Sequence, residues 1–148
     1  MVSGSPARRD LLASLLPVTR ALRRIEEAAA ARDGVSMWQY AILSVVAERP
    51  GLNQRELAAA LQYSPNRIVG DLHALEERGL VLRRPGRDRR ANRIDATEAG
   101  DAVRRRVQAE IHAREDDLLA DLAPAEREAF AGAARRLATR ARDTGSPR

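Results

Sequence analysis

The chain has 148 residues, 26 basic and 21 acidic side chains, and no Cys. That length suits one domain with a buried core, and the missing Cys excludes disulfides, thiolate metal sites and thiol redox sensing. No apolar run approaches the ~18 residues of a membrane span, so the chain is expected to be soluble and cytoplasmic.

Residues 1 to about 7 read as a disordered lead-in. The next stretch holds a short apolar patch, but Asp10 interrupts it, and helical periodicity explains it better than a signal peptide. From Arg8 to Arg32 the pattern is helical. Leu11, Leu15, Val18, Leu22, Ile25 and Ala29 follow each other at alternating spacings of four and three. Such a seam wants a partner helix, here favoured to lie across a dimer rather than within the chain. Pro17 inside the pattern either kinks the helix or marks its start. Asp33-Gly34 ends it. Ser36 then caps a second helix, with Gln39 completing a capping box, and Ile42, Leu43, Val45 and Val46 point to the core. Pro50-Gly51 stops that helix.

Asn53 caps a third helix, with Glu56 completing an Asn version of the capping box. Leu57, Ala58 and Leu61 give it one apolar face. Gln62 and Tyr63 break it. Ser64 is the expected cap of a fourth helix, and Pro65 sits at its first position, where a missing N–H costs nothing. Ile68, Leu72 and Leu75 form the buried stripe. Gly79 is expected in a left-handed conformation just past its end. Two short helices with this break are a helix-turn-helix, one for support and one free to reach into a groove.

Leu80, Val81 and Leu82 are a short β run, Pro85-Gly86 reads as a turn, and Asn92 to Ala96 can return as a second strand. Between residues 83 and 93 stand Arg83, Arg84, Arg87, Arg89, Arg90 and Arg93, against the single acid Asp88. Six arginines less one aspartate leave +5, which is also the net charge of the whole chain. The remainder is balanced. A hairpin that carries all the net charge, placed directly after a helix-turn-helix, is the footprint of a surface that meets phosphates.

Thr97 caps a long fifth helix with the seam Val103, Val107, Ile111, Leu118 and Leu122. Pro124 opens a last one, with Glu126 in its first turn and Ala129, Phe130, Ala133 and Leu137 as its buried face. The fold class is therefore mainly α with a small β-hairpin wing. A winged helix-turn-helix over about 36–97 is flanked by dimerisation helices at about 8–33 and 98–141.

These residues carry a resemblance to the MarR (multiple antibiotic resistance regulator) family of bacterial transcription factors. QRELAAAL matches the support helix, SPNRIVGDLHALEERGLV the recognition helix, and RRPGRDRRANRI the wing with its Asp-x-Arg at Asp88 and Arg90. ATEAG stands where the family usually has Leu-Thr-x-x-Gly. The likeness runs from about Ser36 to Gly100. Two positions depart: Gly70 stands where the family often has a basic residue, and Asp71 where it has an apolar one.

The resemblance implies an intertwined homodimer on a pseudo-palindromic double-stranded DNA operator. The expected DNA-binding residues are Ser64, Pro65, Asn66, Arg67, Arg84, Arg87, Arg89 and Arg90, with Asp88 structuring the wing. Arg67 is the one basic side chain in the first half of the recognition helix, suited either to guanine or to a salt bridge with Asp71. His73 faces either a phosphate or the wing. The resemblance also implies a pocket for a small aromatic or acidic effector between the end helices and the winged region. Met37, Trp38 and Tyr40 are candidate walls, and Arg20, Arg23 or Arg24 a candidate anchor; ordinary core or interface packing is the alternative. His112 with Glu115 and Asp116 is too sparse for a metal site, no cofactor is expected, and nothing suggests an enzyme. A ligand-independent architectural DNA binder and a helical interaction module are the alternatives.

Overall fold

The computed structural model describes residues 10–86 and 92–144. The lead-in and the wing tip, with Arg87, Asp88, Arg89 and Arg90, lie outside the described residues. Six helices and one hairpin follow in order: α1 (Leu11–Arg32), α2 (Met37–Glu48), α3 (Gln54–Leu61), α4 (Pro65–Glu77), β1 (Val81–Pro85), β2 (Asn92–Ala96), α5 (Glu98–Leu118) and α6 (Pro124–Thr144). The chain divides into two compact units, Met1–His112 and Ala113–Arg148.

Local chemistry sets the boundaries. Ser36 accepts from the Gln39 N–H at 3.0 Å while the Gln39 side chain accepts from the Ser36 N–H. Asn53 and Glu56 exchange the same pair of bonds at the start of α3. α3 ends on Gln62 in the left-handed region, at φ 48°. There the Gln62 and Tyr63 N–H groups close back on Ala59 and Ala58. At the end of α4, Gly79 has φ 67°. Its N–H reaches the Glu76 carbonyl, and the Leu80 N–H reaches that of Leu75. This is a Schellman closure, and Leu75 and Leu80 are both buried.

Three expectations need correction. Pro17 lies within α1, so it does not mark the helix start. Ser64 stands at the N-cap of α4, but its side chain makes no capping bond; its carbonyl accepts the first helical N–H groups instead. Pro85 is the last residue of β1, opposite Asn92, rather than part of a turn.

Unit 1 holds the core. Ile42, Leu43, Val46, Leu57, Ile68, Leu72, Leu75, Val81, Ile94 and Val107 are buried in it. α2 is central, packing on α1, α3, α4 and β2. The wing is anchored on its inner edge: Ile94 donates to Leu52 at 2.9 Å and accepts from Gly51. The α1 seam is graded. Ala29 is buried, Ile25 and Leu22 half-buried, and Leu11, Leu12, Leu15 and Leu16 exposed. In unit 2 the stripe expected to be buried on α6 is not covered by this chain: Phe130 is 38% and Leu137 59% exposed. Leu118, at the end of α5, is exposed as well. An amphipathic helix buries its apolar stripe only where another surface packs against it.

Thr97 locks the hairpin to α5. Its hydroxyl donates to the Gly79 carbonyl at 2.6 Å and accepts from the Gly100 N–H at 3.0 Å. This brings Gly100 so near β1 that a Cβ would overlap the Leu80 carbonyl oxygen and press on Leu43. Gly100→Ala should therefore destabilise the protein by at least the ~1–3 kcal/mol typical of overpacking, read as a fall in the urea midpoint; an unchanged midpoint would refute the close approach.

Candidate nucleic-acid interface and an adjoining cavity

α4 presents one face because the other is locked. Ile68, Leu72 and Leu75 are fully buried. At its C-terminal end Arg78 donates to the carbonyls of Gly34 at 2.5 Å and Asp33 at 3.1 Å. In its middle Asp71 accepts from the Tyr63 hydroxyl at 2.8 Å and from the Gln39 amide at 3.3 Å. The departure at Asp71 thus has a physical cause. A half-buried carboxylate is tolerated where two donors from other elements satisfy it.

Among the described ion pairs none joins Arg67 to Asp71, and Arg67 is exposed. Ser64, Pro65 and Asn66 are exposed beside it. The positive end of the α4 dipole lies at this same end of the helix. His73 is exposed and pairs with Glu77 at 3.3 Å, one turn on, rather than packing on the wing.

The described hairpin arginines divide into two kinds. Arg93 donates to the Gly51 carbonyl at 2.7 Å. The Nε of Arg83 lies 3.3 Å from a Glu76 oxygen, close enough to pair but not aligned as a hydrogen bond. Both therefore hold the wing to the body. Arg84 faces outward, 3.4 Å from Asp95. Each of the three described hairpin arginines thus has an oxygen partner within the chain.

A cavity of about 500 Å³ opens beside α2. Met37, Trp38 and Tyr40 line it, together with Ala41, Ser44, Val45 and Leu61. Its polar groups come from Arg23, Glu26, Glu48 and Gln108. All three arginines weighed on the first helix are exposed, and of them Arg23 lines the cavity. Ser44 was not singled out from the sequence; its Oγ is buried without a hydrogen-bond partner. No local signal marks it, since its position depends on how α2 is phased against its neighbours.

Two side-chain contacts connect a wall of the cavity to α4. The Trp38 ring stacks on Tyr63 with centroids 4.0 Å apart and planes 8° from parallel. Tyr63 then bonds Asp71 on α4. Burial raises the Tyr63 pKa, and so do the bond to Asp71 and that carboxylate's charge, while the Arg67 guanidinium pulls the other way. The phenol therefore stays protonated, and a donor, throughout the neutral range. Tyr63→Phe keeps the stack and removes the bond. It should cost about 1 kcal/mol, seen as a lower urea midpoint. Equal midpoints for Tyr63→Phe and wild type would remove the bond from the account.

Comparison with known proteins agrees with this geometry. The MarR family model matches residues 33–91. A putative transcriptional regulatory protein for the hcr operon of Thauera aromatica is 32% identical over 118 residues, covering 79% of this chain and 71% of that protein. Among solved structures, the transcriptional repressor CouR bound to a 23-mer DNA duplex is 27% identical with a TM-score of 0.76, covering 87% of this chain and 92% of its own. CouR from Rhodococcus jostii RHA1 bound to p-coumaroyl-CoA is 28% identical with a TM-score of 0.72, covering 87% and 91%. Sequence motifs, fold and relatives coincide, and this chain belongs to the MarR family of winged-helix transcriptional regulators.

Proposed function

We propose that the protein is a cytoplasmic, homodimeric repressor that binds a pseudo-palindromic DNA operator and is released by a small aromatic or acidic ligand. The observation that carries the reading is α4, with its inner face fully buried and Asn66 and Arg67 exposed at its free end. The DNA-bound CouR neighbour supports it.

Arg67 reads a base, most simply a guanine through a bidentate contact, and Ser64, Pro65 and Asn66 meet the same half-site. Arg84, Arg87, Arg89 and Arg90 meet the flanking phosphates or minor groove, and Asp88 holds the wing in shape. The winged helix-turn-helix over about 36–97 is the DNA-binding region; the helices at about 8–33 and 98–141 form the dimer. The uncovered leucines of α1 and the apolar side chains of α6 support that assignment, since exposed apolar stripes on long helices call for a partner. The dimer sets the half-site centres about one helical turn, ~34 Å, apart.

The effector occupies the cavity beside α2. Arg23 holds its anionic group, the Ser44 hydroxyl gains a partner, and Trp38 forms an aromatic wall. The p-coumaroyl-CoA complex of CouR supports an aromatic acyl ligand. A ligand that displaces Trp38 disturbs Tyr63 and, through it, the Asp71 bond that holds α4. This chain of touching side chains favours a ligand-responsive regulator over an architectural protein.

Arg67→Ala should cost roughly 1–3 kcal/mol on a duplex enriched from random sequence and much less on random DNA. Equal losses on both would demote Arg67 to a phosphate contact. Replacing Arg87, Arg89 and Arg90 together by Ala should flatten the slope of log affinity against log salt by about 0.9 for each phosphate that is no longer neutralised; an unchanged slope removes the wing from the interface. Leu12→Asp with Leu15→Asp should yield folded monomers by sedimentation and abolish site-specific binding. Ile111 is unsuitable for this purpose, because it is buried within the chain's own core. A wild-type protein that is monomeric at micromolar concentration yet site-specific would overturn the dimer.

A further inference from the structure

The recognition helix contains a glycine that nothing inside the molecule requires. Gly70 lies in the middle of α4 and has no positive φ. A mid-helix glycine costs about 1 kcal/mol relative to alanine. Gly100 is needed because β1 crowds it, and Gly79 because its backbone is left-handed. A Cβ on Gly70 would meet no atom within 4 Å. Neither backbone conformation nor internal packing accounts for it.

Its position points outward. At about 100° per residue, Asn66 and Gly70 fall opposite the Ile68–Leu72–Leu75 stripe, with Arg67 and Val69 on either flank. Val69 is 44% exposed, the large apolar side chain that α4 leaves uncovered. Gly70 leaves bare backbone between Asn66 and Arg67, and Val69 offers a branched apolar side chain on the other side of Asn66. The major groove is wide enough to admit a helix, and the apolar feature it offers is the C5-methyl of thymine.

We propose that Gly70 lets α4 seat with its backbone close against the base edges, and that Val69 packs on a thymine C5-methyl beside the contacts of Asn66 and Arg67. Gly70 is then a positioning residue and Val69 a specificity-determining one. The inference rests on the DNA-binding reading above.

The test uses the full-length protein and a duplex that the wild type enriches from a random-sequence pool. Gly70→Ala should move two readouts in opposite directions. The thermal midpoint should rise by about 2–4 °C, because a helix penalty is removed, while affinity for the enriched duplex should fall at least about tenfold. An affinity that is unchanged or improved overturns the close approach. In the second arm each symmetric pair of thymines is replaced by deoxyuridine, which removes only the methyl. One pair should weaken wild-type binding about fourfold per half-site, the change corresponding to one buried methyl group, and Val69→Ala should weaken it no further there. If no pair matters, or if Val69→Ala weakens binding as much on the deoxyuridine duplex as on the thymine one, the methyl contact is wrong. A wild type that enriches no duplex sinks the DNA-binding reading itself, whereas enrichment with Gly70→Ala binding equally well sinks only this inference.

Discussion

Complete burial of one stripe on α4 is the constraint on which the rest depends. Ile68, Leu72 and Leu75 are removed from water altogether, which at about 1.5–3 kcal/mol per side chain is the largest single hold on that helix. With that stripe buried, α4 cannot roll, and its outer residues acquire fixed directions. The Schellman closure at Gly79 and the Arg78 bonds to Asp33 and Gly34 then fix where it ends. A reading helix is useful only if its side chains arrive in one register, because base contacts tolerate errors of tenths of an ångström.

Asp71 refines that hold and makes it adjustable. Apolar packing alone would fix α4 without linking it to anything that changes. Asp71 replaces part of that packing by two hydrogen bonds, from Tyr63 in the break of the helix-turn-helix and from Gln39 on α2. Because Tyr63 also stacks on Trp38, the side chain that walls the cavity lies two contacts from the recognition helix. Hydrogen bonds are directional and short-ranged, so small shifts of Trp38 bear more sharply on such a link than on an apolar contact. The link is physical contact, and both its ends lie within unit 1.

The hairpin shows how one residue type serves two purposes. Arg83 and Arg93 face carboxylate or carbonyl oxygens of the body and fasten the wing. Arg84 lies farther out, with its side chain largely in water. Net charge attracts a polyanion from a distance whichever arginine supplies it.

The sequence by itself determined the order of elements, their ends and the buried side of the winged region. The reason is locality: capping boxes at Ser36 and Asn53, the glycine at 79 and the stripe on α4 each link residues that lie no more than about five positions from the next. Their energetics can be read along a string. It also located the charge, which is a property of composition. Only the tertiary structure decided the partners of Asp71, which come from 8 and 32 residues away. The same holds for Arg23 facing the cavity in place of Arg20 or Arg24, for Gly100 lying under Leu80, and for Ile111 belonging to the chain's own core while Phe130 and Leu137 do not. Each depends on the rotational phase and approach of one element against another, and packing of the whole core sets that phase.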